Sequence, residues 1–266
     1  MTRRTFAGLL GMSPLAGSAA FAADNPKDRG RQLRDKVIYA LGGDAFRNMR
    51  TRTETGRAYS FYREQLSGLA VAHIYTRYLP PDSSGAVRML QRQVFGKKLE
   101  DAVLFTTDEA FDVTYRGAKP LADDRVKQYH ETTLHDVFYI LRERLAEPGI
   151  EFESPGPDVM ENQPVEALDI FDAENRNVRV WVNATTFLPI KQRFYRWDPT
   201  INDRREEVTR YSKYRDAGNG VMWPFDTERE RDTEKNFQLF SEQVTVDDPL
   251  AGSMFELPNG IRILKK

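Results

Sequence analysis

His130, Glu131 and His135 stand together in the stretch HETTLH. Two histidines beside a glutamate look like the zinc-protease arrangement His-Glu-x-x-His, where a spacing of four puts both rings on one helix face. Here the spacing is five. At ~100° per residue this turns the imidazoles about 140° apart, so the stretch predicts ordinary helix residues and no metal site. His73 is the remaining histidine and sits alone in a stretch patterned as a strand. The chain has no cysteine, which excludes disulfides, thiolate catalysis, cysteine-ligated zinc, iron–sulfur clusters and lipidation of an N-terminal cysteine. There is no Gly-x-Ser-x-Gly elbow, and neither a phosphate loop nor a glycine-rich dinucleotide turn. DAENRN after Phe171 offers calcium-like oxygens but lacks the glycine and distal glutamate of an EF-hand loop, so it reads as a polar turn. Asn183-Ala184-Thr185 fits the glycosylation formula and also reads as a turn. Carboxylates are plentiful, yet none is paired by spacing. No cofactor is expected. A hydrolase site assembled from distant carboxylates stays open as the least favoured reading.

With 39 basic and 40 acidic residues, the chain implies no nucleic-acid surface. It opens on MTRRTFAGLLGMSPLAGSAAFAADNP, with a basic start, a mild apolar middle and Ala20-Phe21-Ala22. This fits an export leader over residues 1–22, cleaved after Ala22. Thr2-Arg3-Arg4-Thr5-Phe6 looks like a twin-arginine signal. The apolar run is shorter than the ~20 residues a membrane span needs, so residues 23–266 are expected as one periplasmic domain with no transmembrane anchor.

The elements that must position any site follow from periodicity. Leu33, Val37, Ala40 and Leu41 mark a helix ended by Gly42-Gly43, and DAFRNM marks one more short turn. From Thr51 the period becomes two, giving five strand candidates up to Tyr115. Val126, His130, Leu134, Val137, Phe138, Leu141 and Leu145 form one stripe, which predicts a single long helix over Asp123–Ala146. Strands then resume. In NVRVWVNATTFLPIKQRFYRW, from Asn177 to Trp197, two alternating runs flank a tight connection. No βαβ alternation appears, so the fold class is α+β with an antiparallel sheet. A sheet of about eleven strands should curl, and the two amphipathic helices belong on its dry face. The result is a half-open barrel with an N-terminal helix and a long lid or plug helix. Whether aromatics fill the barrel or leave a cavity is open at this level. The cavity reading puts Tyr59, Phe61, Val71, Met89, Phe105, Val180 and Phe194 on the wall, with Val137, Phe138 and Leu141 from the helix.

Four phrases in order resemble the LolA/LolB-like family of periplasmic outer-membrane lipoprotein-sorting proteins: ALGGDAF, VWVNATTFLPIKQRFY, YSKYRDAGNGVMWPF and MFELPNG. The resemblance implies a half-open antiparallel barrel with a helical lid that holds acyl chains in an apolar cavity, with lipid or lipidated protein as partner and no enzymatic activity. It also implies an early-strand arginine that holds the lid closed, for which Arg57, Arg63 and Arg77 are available. The twin-arginine leader departs from the family's usual export route. The alternative class is an interaction or sensing module of the envelope on the same fold, with a protein partner.

Overall fold

The computed structural model describes residues 25–80, 86–96 and 101–265; residues 1–22, expected as an export leader, lie outside them. Helix α1 (Pro26–Ala40) starts where Asn25 accepts the Lys27 N–H at 3.0 Å and Pro26 needs no donor partner. Its buried face is Gly30, Leu33 and Val37, at helical spacing. A Cβ on Gly30 would lie 2.3 Å from Phe152 O, so this glycine lets the helix backbone rest directly on strand β7 (Glu151–Met160). Helix α2 (Asp44–Asn48) follows as one short turn.

The strands run β1 (Thr51–Tyr62), β2 (Gln65–Tyr78), β3 (Met89–Phe95), β4 (Asp101–Phe105), β5 (Ala110–Thr114) and β6 (Gly117–Pro120). After the central helices come β7, β8 (Gln163–Phe171), β9 (Asn177–Asn183), β10 (Pro189–Asp198), β11 (Asp203–Asp216), β12 (Met222–Arg231) and β13 (Glu234–Val246). All pair antiparallel in the order β6-β5-β4-β3-β2-β1-β13-β12-β11-β10-β9-β8-β7. Two meanders are therefore joined where β1 meets β13, and the ends β6 and β7 do not pair. The fold is α+β, with a half-open barrel.

The sheet has thirteen described strands, against an expectation of about eleven. Part of the difference is β6, Gly-Ala-Lys-Pro. It carries no alternating pattern and is held by backbone pairing to β5 and by Ala118 N–H on Arg262 O at 2.9 Å. Strand β7 also runs on through Pro155-Gly156-Pro157, past a register shift between Glu153 and Gly156. The β9–β10 hairpin forms as expected. Asn183 Oδ1 accepts the N–H groups of Thr185 and Thr186 at 2.9 Å, so the glycosylation-like triplet is a turn. On β12 the charges of the ERER stretch are met by neighbouring strands, as in Arg210–Glu230 at 2.6 Å and Arg231–Glu207 at 2.8 Å.

The expected long helix is two helices, α3 (Asp123–Leu134) and α4 (Val137–Glu143). The break falls at His135-Asp136. Asp136 takes extended backbone (φ −71°, ψ 124°), and its carboxylate accepts the Tyr139 N–H at 3.0 Å. An aspartate there competes for backbone donors and starts a new helix rather than continuing the old one. The Val137 N–H, which has no partner within α4, is taken by Gln192 Oε1 at 2.9 Å, deep in the core.

The main core lies between α1, α4 and the second meander, with Leu33, Val37, Phe46, Ile140, Leu168, Val180 and Phe225 among its members. Smaller apolar clusters sit under β3–β6 and under the outer halves of β1 and β2.

Candidate ligand cavity

The two central helices differ in what they bury. In α4, Val137, Phe138, Tyr139, Ile140 and Leu141 are all buried, whereas α3 buries Thr133 alone. Helix α4 is thus part of the core, and α3 is a cover. Between them and the concave side of the sheet is a cavity of about 410 Å³, within the ~300–1,000 Å³ usual for small-molecule sites.

Its walls are mixed in character. Phe95, Phe105, Phe138, Tyr211, Trp223, Phe237 and Leu239 supply apolar surface, while Arg52, Glu54, Gln91, Gln93, Thr133, Asp136, Thr227 and Arg229 supply polar surface. Helix α3 contributes Arg125, Gln128, Tyr129, Thr132 and Thr133. Tyr129 lies flat on Phe105, with ring centroids 3.7 Å apart. Phe138 meets Tyr211 edge-on at 5.0 Å and Trp223 at 4.7 Å.

Arg52 is the central charge of the wall. Its guanidinium stands 4.0 Å from the Trp223 ring centroid, its Nε is 3.8 Å from Glu54 Oε2, and it reaches Tyr78 OH at 3.5 Å. Glu54 also accepts the Ser241 hydroxyl. Asp136 has its pKa raised by burial, partly offset by the Tyr139 N–H and by the charges of Arg229 and Arg52. The phenols of Tyr129 and Tyr211 are pushed up, chiefly by burial. Arg52 Nε, Tyr129 OH and Tyr211 OH are buried without a hydrogen-bond partner. Such atoms are uncommon in a folded protein, and these three belong to residues of one cavity wall.

Of the residues anticipated for the wall, Met89, Phe105 and Phe138 line the cavity. Val137, Leu141, Val180 and Phe194 are buried in the main core instead. Val137 and Leu141 are fully buried (0% exposed), and Phe194 is covered by the His135 ring at 4.2 Å. Tyr59 and Val71 lie on the other side of the sheet, because Arg52, Glu54 and Ala58 take the concave side of β1 and the next residue must point away. Val71 is 39% exposed. Phe61 lies near the hairpin end with Lys235 4.7 Å over its ring. Assigning the aromatic side of β1 to the interior is thus reversed: the small and charged side faces in. Opposite charges two residues apart, Arg52 and Glu54, are the trace this leaves in sequence.

The three arginines considered for holding the lid are elsewhere. Arg57 pairs with exposed Glu242 at 3.1 Å, Arg63 is in the β1–β2 turn, and Arg77 donates to Leu250 O. Arg52 is the early-strand arginine inside the cavity. Among the described residues no three metal-ligating side chains cluster. His135 is buried with Nδ1 2.6 Å from Glu131 O, and burial lowers its pKa. Among the described residues no helix is long and apolar enough to cross a membrane.

No family model matches the sequence, and no curated protein matches it either. Solved structures match the fold. A domain classed with outer membrane lipoprotein-sorting proteins from Vibrio parahaemolyticus aligns over 86% of this chain and 97% of its own, with TM-score 0.57 and 11% identity. A DUF1329 family protein from Desulfovibrio piger aligns over 87% and 98%, with TM-score 0.58 and 10% identity. A LolA superfamily protein from Nitrosomonas europaea aligns over 85% and 96%, with TM-score 0.51 and 13% identity. At these identities the likeness is one of fold.

Proposed function

We propose that this chain, whose fold is LolA-like, is a non-enzymatic carrier of the periplasm that holds an acyl-bearing ligand, a lipid or a lipidated protein, between the sheet and α3. The observation that carries this reading is the cavity of about 410 Å³ under a helix with a single buried residue. Aromatic walls supply the hydrophobic term: at ~25 cal/mol per Å², burying ~200 Å² of acyl surface stabilises the complex by about 5 kcal/mol before ordering costs. The polar wall suits an amphiphile whose ester or amide end needs hydrogen bonds, and not a bare hydrocarbon.

Helix α3 is the part that moves. Its first and middle turns are held by the Phe105–Tyr129 stack and by an exposed Arg125–Asp112 pair at 3.2 Å, contacts worth ~1.5 kcal/mol or less each, while Leu134 O at its C-terminal end stays anchored by Arg144. The core-bound α4 stays in place. Two carboxylates line the cavity, yet both have structural work. Glu54 is engaged by Ser241 and Arg52, and Asp136 caps α4. This supports a carrier over a hydrolase.

The test uses Thr227→Trp, because Thr227 is a half-buried cavity residue outside the main core. Mature wild type and variant are purified from the native envelope and compared by native mass spectrometry and lipid extraction. Acyl lipid is expected with wild type and lost from a variant of unchanged thermal midpoint. A wild type that carries no lipid and binds no fluorescent fatty acid refutes the carrier reading.

A further inference from the structure

The cavity has a closed end and an open one. Arg52, Thr76, Gln91 and Phe105 stand opposite one another on β1 to β4, and this row forms the closed end. Thr76, Gln91 and Phe105 are buried, as are Tyr78, Phe138 and Trp223. The side chains of Arg52 and Glu54 are 11% and 5% exposed. Arg125 and Gln128 of α3 and Arg229 of β12 are exposed wall residues and mark the open end. Arg229 pairs with Phe237, which stands opposite Ser60, near the end of β1 remote from Arg52. Along β1 between these ends the rows add Ile74 beside Glu54, Leu239 beside Ala58 and Phe237 beside Ser60. Gln93 and Thr227 interrupt this apolar stretch of wall. The charge is thus deep, and the apolar wall leads outward from it.

The deep end holds donors without acceptors. Among the described residues the Arg52 side chain makes a single hydrogen bond, to Tyr78 OH at the limiting distance of 3.5 Å, and its buried Nε makes none. Glu54 Oε2 stands 3.8 Å from that Nε, too far for a hydrogen bond, and the Glu54 carboxylate accepts the Ser241 hydroxyl. Tyr129 OH is buried without a partner as well. Its ring lies on Phe105, which sets Tyr129 over the same row as Arg52. Buried charges are ordinarily paired and hydrogen-bonded, because taking an ion out of water is costly. The other carboxylate of the wall, Asp136, is occupied by the Tyr139 N–H. What the deep end lacks is an acceptor.

We infer that the ligand is a single-chain amphiphile with a small carboxylate head, and that it lies head first, an inference that rests on the carrier reading. The carboxylate sits at the closed end on Arg52 and Tyr129 OH. The chain runs past Ile74, Leu239 and Phe237 to the mouth. A carboxylate is planar and only accepts, so it matches the guanidinium fork and takes the phenol donor too. An acyl group on a protein is bound in an ester or amide and can enter only tail first. That would set hydrocarbon against Arg52 and leave both donors unmatched. Of the two ligand classes a carrier of this shape could hold, the deep charge therefore selects a free acid over a lipidated protein.

The test compares laurate with dodecanol, equal in chain length and different in head, by calorimetric titration of the delipidated mature chain. Wild type is expected to bind laurate roughly tenfold or more tightly than dodecanol, the size of one hydrogen bond to a charged group. Arg52→Met should abolish that preference. Tyr129→Phe keeps the ring on Phe105 and removes a hydroxyl that has no partner. It should weaken laurate roughly tenfold without lowering the thermal midpoint, which a merely structural tyrosine would not do. Orientation is read with stearic acid carrying a nitroxide near its carboxyl or near its methyl end. In the complex, ascorbate should reduce the methyl-end label faster. Equal affinity of wild type for laurate and dodecanol leaves the carrier reading standing and overturns the inference, as does faster reduction of the carboxyl-end label. Tighter binding of dodecyl phosphate than of laurate overturns the carboxylate assignment. A wild type that binds none of these overturns the carrier reading and the inference together. The wild-type comparisons need no variant, so an Arg52→Met chain that fails to fold does not shield the inference.

Discussion

Asp172 ties the cover to the barrel, and Asp172→Asn measures how strongly. The carboxylate lies just after β8, with a side chain 3% exposed. It accepts from Arg144 Nη2 at 2.6 Å, Arg176 Nε at 2.7 Å and the N–H groups of Glu174 and Arg176 at 3.0 and 2.9 Å. Arg144 in turn donates to Leu134 O at 2.5 Å, the last residue of α3. Asparagine keeps the shape but removes the charge and sets an amide N–H₂ against a guanidinium. Breaking a buried pair from one side costs ~3–5 kcal/mol. Arg144 keeps Glu147 at 2.6 Å, so we expect the lower end, about 3 kcal/mol, or a fall of ~6–12 °C in Tm for a chain of this size. The sign with pH follows from the Asp172 carboxyl. Burial raises its pKa, but hydrogen bonds from Arg144 and Arg176 outweigh this and hold it below the ordinary value. A depressed folded pKa gives stability that is whole above the unfolded value of ~3.9 and is lost as pH falls through the folded one. Urea unfolding at pH 7, 5 and 3.5 should therefore show a constant gap between wild type and variant down to about pH 5 and a shrinking gap below pH 4. A gap under ~1 kcal/mol at pH 7, or one that widens in acid, refutes the account.

Gly30→Ala would gain ~1 kcal/mol in an open helix. Here the new Cβ would sit 2.3 Å from Phe152 O, so a net loss of ~1–3 kcal/mol is expected in denaturant unfolding, and a stabilised variant would show that α1 does not rest on β7. Arg3→Lys with Arg4→Lys should leave unprocessed precursor in the cytoplasm of the native host, detected by immunoblot of fractions, while normal processing would show that the two arginines are not needed for export.

Much of the fold was legible in the sequence because it is written locally. The period of two in Val178, Val180 and Val182, the stop at Gly42-Gly43 and the missing βαβ alternation each concern residues within a few positions of one another. They led to an antiparallel curled sheet with two helical segments. The site was much less legible. Alternation shows that Tyr59 and Arg52 take opposite sides of β1, but not which side is inside. The sequence favoured the aromatic side, and the tertiary structure puts Arg52 and Glu54 there, because Trp223 and Ser241, from strands far along the chain, and Tyr78 of the neighbouring β2 meet them.

The break between α3 and α4 divides along the same line. By itself the sequence determined a helical stripe from Val126 to Leu145, since apolar residues recur every three to four positions whether a helix is continuous or broken. Only the tertiary structure decided that Asp136 would end one helix and cap the next. That choice depends on Gln192, 55 residues away, taking the Val137 N–H at 2.9 Å, and on Arg144 holding Leu134 O. A partner that arrives through sheet curvature leaves no mark on local periodicity. Such partners set α4 in the core, leave α3 as a cover and open the cavity between them.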